Sequence, residues 1–287
     1  EPAAADDAPG FAWEPAGLGG GGAMFTPAIS PLDPDRMMLN CDISGAYLSR
    51  DGGRSWSLIH HRQLRGNIRC RPAFHPREPD TLFAAHGWPG ELRVSRDGGR
   101  HFAPIGDLPP GLTGEIAIDP DEPNRMLVGV NEGVALSTNG GAHWTICSAL
   151  SGPPLAFHFG RGPRPEARAL YAGTRSGLFR SDDGGRSWQI KNRGLPTGER
   201  LSFAGGSDPR TGATILYVST PGRAQNGQYG GGIFRSLDRG ESWTSVMTGA
   251  INRGIRQVDR WADGPVAQYP CLLAGDGDPR TVYAFNT

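Results

Sequence analysis

The chain has 287 residues, with 44 glycines and 25 prolines spread among short apolar runs, the composition of a protein built from many tight turns. Its 29 Lys and Arg balance 29 Asp and Glu, which removes the electrostatic basis for non-specific binding to nucleic acid or anionic membranes. No apolar run is long enough to span a membrane, and a neutral or small-molecule partner fits the charge balance better.

Residues 1–10 are small and polar, with neither a charged n-region nor an apolar h-region, and are expected to be flexible. They read as a mature N-terminus left by signal cleavage, which predicts a secreted or periplasmic protein. Phe11–Pro15, including Trp13, has the pattern of a ring-closing strand. Gly19–Gly22 follows, then an apolar strand, a proline turn and the segment Asn40-Cys41-Asp42-Ile43-Ser44-Gly45-Ala46-Tyr47.

From there the chain repeats itself. Ser49-Arg50-Asp51-Gly52-Gly53-Arg54-Ser55-Trp56 returns in altered form at Ser95–Phe102, Ser137–Trp144, Ser181–Trp188 and Ser236–Trp243, with the shared pattern S-x-[DN]-x-G-x-x-[WF]. In a β-hairpin the Asp or Asn accepts hydrogen bonds from the turn's own backbone, the Gly supplies positive φ, and the aromatic plugs the sheet edge. Successive aromatics lie 46, 42, 44 and 55 residues apart, the spacing of four-stranded propeller blades. An insertion at 221–230 lengthens the last interval. Ahead of the boxes run strand–proline-turn–strand elements such as Phe74–Ala85 and Ile118–Gly129, and no helical periodicity of useful length occurs.

The predicted fold is therefore all-β: a β-propeller over 11–287, with five full blades and a partial sixth, forming part of a seven-bladed ring. Asp278–Phe285 restarts a blade without reaching its box. A sheet ending there has a bare edge, so the missing blades are expected from further sequence, a second chain or a second domain.

The five boxes are identified as Asp-box, or bacterial neuraminidase, repeats, which resemble those of sialidases, sortilin-type receptors, photosystem assembly factors and glucanases. More specifically, Trp13, the glycine run and Asn40–Tyr47 resemble the opening of the two-propeller xyloglucan-active endoglucanases, which carry a Trp, a GGGG run and T-D-I-G-G-A-Y in that order. Cys41 and Ser44 depart from that pattern. The resemblance implies that Asp42 is one of two catalytic carboxylates of an inverting hydrolysis, the other belonging to a second propeller. It also implies a polysaccharide partner of β-glucan type.

Sugar binding needs aromatic platforms with polar neighbours, and Tyr47, His86, Trp88, Tyr229 and Trp261 are the candidates. Two other readings stay open: a non-catalytic, sortilin-like or assembly-factor-like protein-binding propeller, and a sialidase. The sialidase reading lacks the R-I-P segment ahead of the first box. No cofactor or metal is expected: His60, His61, Cys70, His75 and His86 fit no recognised ligand spacing, and the box turns offer too few carboxylates for calcium. Cys41, Cys70, Cys147 and Cys271 read as buried thiols or as one or two disulfides.

Overall fold

The computed structural model describes residues 22–131, 133–147, 150–161, 168–225, 228–246 and 271–285. Trp13, the first three glycines of the run and the flexible residues 1–10 expected from sequence lie outside the described residues.

Five consecutive blades follow one another, four of them four-stranded antiparallel sheets and the third extended by a fifth strand paired in parallel, with no helix among the described residues. Blade 1 comprises β1 (Met24–Ile29), β2 (Met37–Cys41), β3 (Gly45–Ser49) and β4 (Ser57–Leu58). The strand entering blade 2 breaks at Pro72: β5 (Cys70–Arg71) pairs in parallel with the first strand of blade 3, while β6 (Ala73–Phe74) opens the blade 2 sheet, followed by β7 (Leu82–His86), β8 (Glu91–Ser95) and β9 (Ala103–Pro104). Blade 3 has β10 (Leu112–Ile118), β11 (Met126–Val130), β12 (Gly133–Ser137) and β13 (Thr145–Cys147). Blade 4 has β14 (Pro154–Phe159), β15 (Leu170–Thr174), β16 (Gly177–Ser181) and β17 (Gln189–Ile190). Blade 5 has β18 (Ser202–Ser207), β19 (Thr214–Gln225), β20 (Gln228–Ser236) and β21 (Thr244–Ser245). A two-stranded sheet of β22 (Cys271–Ala274) and β23 (Val282–Phe285) begins a sixth. The insertion at 221–230 proves to be an extension of the β19–β20 hairpin, which shifts register between Thr220 and Arg223 and runs on to Gln225 opposite Gln228.

The hydrophobic cores lie between blades. Leu48 and Ala46 of blade 1 pack with Leu82, Ala84 and Phe102 of blade 2. Phe83 and Val94 of blade 2 pack with Met126, Val128 and Trp144 of blade 3. The same arrangement recurs around Trp188 between blades 3 and 4, and around Trp243 between blades 4 and 5. Central strands are thus covered on both faces, which is why β11 and β12 are buried at every position and read as continuous apolar runs.

Each box turn is organised by its serine, a residue to which sequence reasoning assigned no role. Ser49 Oγ accepts the Gly53 N–H at 2.9 Å and donates to Asp51 Oδ1 at 2.9 Å. Asp51 in turn accepts the Ser55 N–H at 2.8 Å and its hydroxyl at 2.6 Å, while Trp56 Nε1 donates to the Gly53 carbonyl at 2.9 Å. The serines of all five boxes are buried to 1% exposure and accept the equivalent glycine N–H. Those glycines hold φ near +90°, a conformation closed to most side chains.

At the same end of the blades, arginines stitch neighbours together. Arg36 reaches the Pro79 carbonyl and Asp80, and Arg77 reaches the carbonyls of Pro120 and Asp121. Arg168, buried in blade 4, grips Asp119 of blade 3 through both terminal nitrogens at 3.0 and 3.1 Å. Arg161 joins Asp121 to Asp276 of the partial sixth blade. Removing one partner of such a buried pair strands the other, so Arg168→Met should cost about 3–5 kcal/mol in urea unfolding. A loss below about 1 kcal/mol would show that this pair contributes no more than a surface one.

The Ser55 hydroxyl and N–H hold the Asp51 carboxyl down from 3.8 to about 2. At Asp183, burial pushes upward but is outweighed by the Ser187 and Ser181 hydrogen bonds, again leaving it at about 2. A carboxyl depressed by folding stabilises fully above its unfolded value and loses that contribution as pH falls through its folded value. Thermal midpoints should therefore fall between about pH 4 and pH 2, and Asp51→Asn with Asp183→Asn should flatten that slope. Asn139 already holds the equivalent place in the third box, accepting the His143 N–H at 2.9 Å, so the amide fits.

Candidate functional site

The up-and-down strand order gives the blades two different ends. The turns joining first to second and third to fourth strands, including the Asp boxes, lie at one. The turns joining second to third strands, and the connections between blades, lie at the other. Asp42, in the turn between β2 and β3, and Trp88, in the turn between β7 and β8, share that second end.

A cavity of about 650 Å³ opens there between blades 1 and 2. Its walls are the turn Cys41–Gly45, the connection formed by Leu58–His61 and Leu64–Gly66, and the loop Gly87–Pro89. Asp42 is exposed and is the sole carboxylate among these lining residues. Its Oδ1 accepts the Ala23 N–H at 3.0 Å, and the Cys41 thiol lies 3.6 Å away. The last glycine of the run explains itself here. At Gly22 φ is +141°, and a Cβ would stand 2.6 Å from Asp42 Oδ1 and 2.7 Å from Cys41 Sγ.

Trp88 is 65% exposed on the opposite wall, with the Arg69 guanidinium 5.6 Å from its ring centroid. An exposed indole with a cation over one face keeps its other face for stacking. Tyr47 and His86 stand behind the lining. Tyr47 donates its hydroxyl to Ser44 Oγ at 2.8 Å and so braces the Asp42 turn. His86 Nδ1 accepts the Arg65 N–H at 3.1 Å; burial, then Arg93 and Arg65, push its imidazole below the usual range. Both are placed to position the walls.

Tyr229 lies on β20 opposite Ala224, with its side chain outside the described residues, and Trp261 is outside them altogether. Of the histidines considered for a metal, His60 and His61 line the cavity and His86 stands behind it, while His75 is remote. His75 caps the turn at the far end of blade 2, where Nδ1 accepts the N–H groups of Arg77 and Glu78 at 3.2 and 2.9 Å. Among the described residues no cluster of three or more His, Cys, Asp or Glu could hold a metal, and all four cysteines are free thiols.

The residue that assembles the cavity was not visible from sequence. Asn67, 3% exposed, donates Nδ2 to the Gly87 carbonyl at 2.7 Å. Its Oδ1 accepts the N–H groups of Arg69 and Cys70 at 2.8 and 3.0 Å, and its own N–H reaches Asn40 Oδ1 at 3.3 Å. Asn40, also buried, continues to Thr26 Oγ1 at 2.9 Å. The connection is pressed so close to blade 1 that a Cβ at Gly66 would lie 2.7 Å from the Gly45 carbonyl oxygen. Nearer the axis, Glu115 sits where β10 bulges, accepting the Phe157 N–H of blade 4 and lying 3.5 Å from Arg71 of blade 2. Burial pushes its carboxyl up, against the pull of Arg71.

Asn67→Ala leaves a buried carbonyl and two amides without that partner, at about 1–3 kcal/mol for each group left unsatisfied. A stability loss of at least that size should appear in urea unfolding, and Asn67→Asp, which keeps the acceptor, should lose less. Equal stability of the two variants would show that the acceptor contributes nothing.

No family model matches the chain. A xyloglucanase from a Paenibacillus species is 32% identical over 233 aligned positions, taking in 73% of this chain. The chain spans only 20% of that relative's length. Among solved structures, the GH74 xyloglucanase from Xanthomonas campestris superposes with a TM-score of 0.66 at 20% identity, over 95% of this chain and 43% of that one. The GH74 enzyme of Niastella koreensis gives 0.55 at 19% identity, over 77% and 31%. This chain is thus an all-β, glycoside-hydrolase-like propeller resembling the xyloglucan-active GH74 enzymes.

Proposed function

We propose that this propeller belongs to a secreted carbohydrate-active protein that acts on a β-glucan of the xyloglucan type. In this reading Asp42 is a catalytic carboxylate and Trp88 is the platform on which a sugar stacks. The observation that carries it is the cavity itself, in which an exposed carboxylate and an exposed indole face one space across a blade interface. The resemblance of Asn40–Tyr47 to the xyloglucanase segment agrees with it.

Inverting hydrolysis needs two carboxyl groups about 6.5–9.5 Å apart, one protonating the leaving oxygen and one drawing a proton from the attacking water. Asp42 supplies one. The other comes from a further domain or chain facing this end of the blades. The Ala23 N–H engages Asp42 Oδ1 and leaves Oδ2 for water.

Hydrolysis assays on a polysaccharide panel, run on the whole protein with wild type and Asp42→Asn, test the assignment. The variant keeps the shape and should lose at least about 100-fold in rate, the usual contribution of a positioned acid or base. Equal rates would remove Asp42 from the chemistry. The isolation of Asp42 among the lining residues favours a second reading, a glycan-binding module without catalysis. Under it, no substrate of the panel is cleaved while Trp88→Ala still abolishes binding.

A further inference from the structure

We propose that the cavity between blades 1 and 2 takes an acidic saccharide, whose anionic groups, carboxylate or sulfate, are held by Arg65 and Arg69 beside the Trp88 platform. This rests on the polysaccharide reading above and narrows it to a charged class of glycan.

The zero net charge of the chain conceals a strong local segregation. Between Asp51 and Glu78 there is no Asp or Glu, while Arg62, Arg65, Arg69 and Arg71 follow one another within that stretch. This is the segment that builds the connection from blade 1 to blade 2, hence one wall of the cavity. Arg71 is engaged by Glu115. Arg62, Arg65 and Arg69 are exposed, and none forms an ion pair with another described residue. Elsewhere several arginines are spent on carboxylates, Arg125 and Arg168 on Asp119, Arg161 on Asp121, Arg180 on Asp182, and others, such as Arg50, Arg77 and Arg193, on backbone carbonyls.

Two of the three stand at the site. Arg65 lines the cavity and its backbone is held there by His86; Arg69 flanks the Trp88 ring. A sugar stacked on the exposed indole therefore has a guanidinium beside it. The planar donor fork of that group matches a carboxylate or sulfate in two-point contact better than it matches a neutral hydroxyl. His60 and His61 stack on each other at 4.6 Å on the same wall and add ring nitrogens, but no acid. Asp42, on the other wall, is the one lining group that would repel an anion. The anionic substituent is thus assigned to the Trp88 side. An extended nucleic-acid strand is disfavoured, because it needs a basic track with several stacking platforms and the described cavity presents a single indole.

The test titrates the intact chain, followed by calorimetry, with xyloglucan, with the same xyloglucan oxidised to carry carboxylates at its primary carbons, with a sulfated glucan, and with a single-stranded oligonucleotide. Oxidised xyloglucan should bind about tenfold tighter than neutral at low salt, and the advantage should fade at high ionic strength. Arg65→Gln with Arg69→Gln should reduce that ratio to near unity. Both positions are exposed, so the fold survives, and an unchanged thermal midpoint verifies this. Tighter binding of the sulfated glucan than of the carboxylated one would name sulfate as the group recognised. Equal affinity for neutral and oxidised xyloglucan, an unchanged ratio in the double variant, or oligonucleotide binding as tight as the best glycan would each overturn the proposal. Neutral xyloglucan binding that depends on Trp88 but shows no anion preference would leave the polysaccharide reading standing and remove only this inference. Failure of every glycan to bind would remove both.

Discussion

The molecule depends on apolar contact between successive sheets. No blade encloses a core of its own; Leu127, Val134 and Leu136 of blade 3 are buried only because Phe159, Leu170 and Trp188 of blade 4 close over them. A single sheet of four short strands has too little private core to stand alone, so the blades are stable as a series. The box aromatic is the wedge that closes each interface, and the buried serine beneath it fixes the turn that aims the wedge. With that end locked, the opposite turns are free to vary in length and chemistry, as the long β19–β20 hairpin shows.

That division explains where the polar groups go. At the box end, arginines and carboxylates from different blades satisfy one another, from Arg36 and Asp80 through Arg168 and Asp119 to Arg161 and Asp276. At the cavity end the connecting segment is held by neutral amides, Asn40 and Asn67, and by the Gly66–Gly45 backbone contact. Amide hydrogen bonds place Trp88 and Asp42 relative to each other without spending the nearby charges. Arg65 and Arg69 consequently remain available to solvent and ligand.

The fold was legible because its signals are local. Each box satisfies its own hydrogen bonds within about eight residues, so the repeat declares itself at fixed spacing. Trp88 could be singled out for a related reason: it lies outside the repeat, which therefore does not explain it. Asn67 could not, since its partners Asn40 and Gly87 are 27 and 20 residues away and no local pattern marks a buried amide. Arg168 and Asp119, 49 residues apart, were hidden in the same way. Tyr47 and His86 were expected as site residues from their neighbourhood in sequence; their contacts with Ser44 and Arg65 place them behind the lining. His75, grouped with its fellow histidines by sequence proximity, sits at the other end of the blade because β7 carries the chain across in five residues.

Balanced composition was the weakest guide to the partner. Interactions between exposed charges are screened within about 8–10 Å at ordinary ionic strength. What a ligand feels in a cavity is set by the few groups within that range, and a sum over the whole chain averages this away. The fold sharpens the contrast: the Asp boxes return a carboxylate to the far end of nearly every blade, where the turn's own N–H groups and hydroxyls hold it. The acid-free stretch from Gly52 to Arg77 spans the first box and the following inner strand, delivering its middle to the cavity wall. Blade geometry thus converts a charge pattern along the sequence into a difference between two ends of one molecule, and the positive excess falls on the end that carries Trp88.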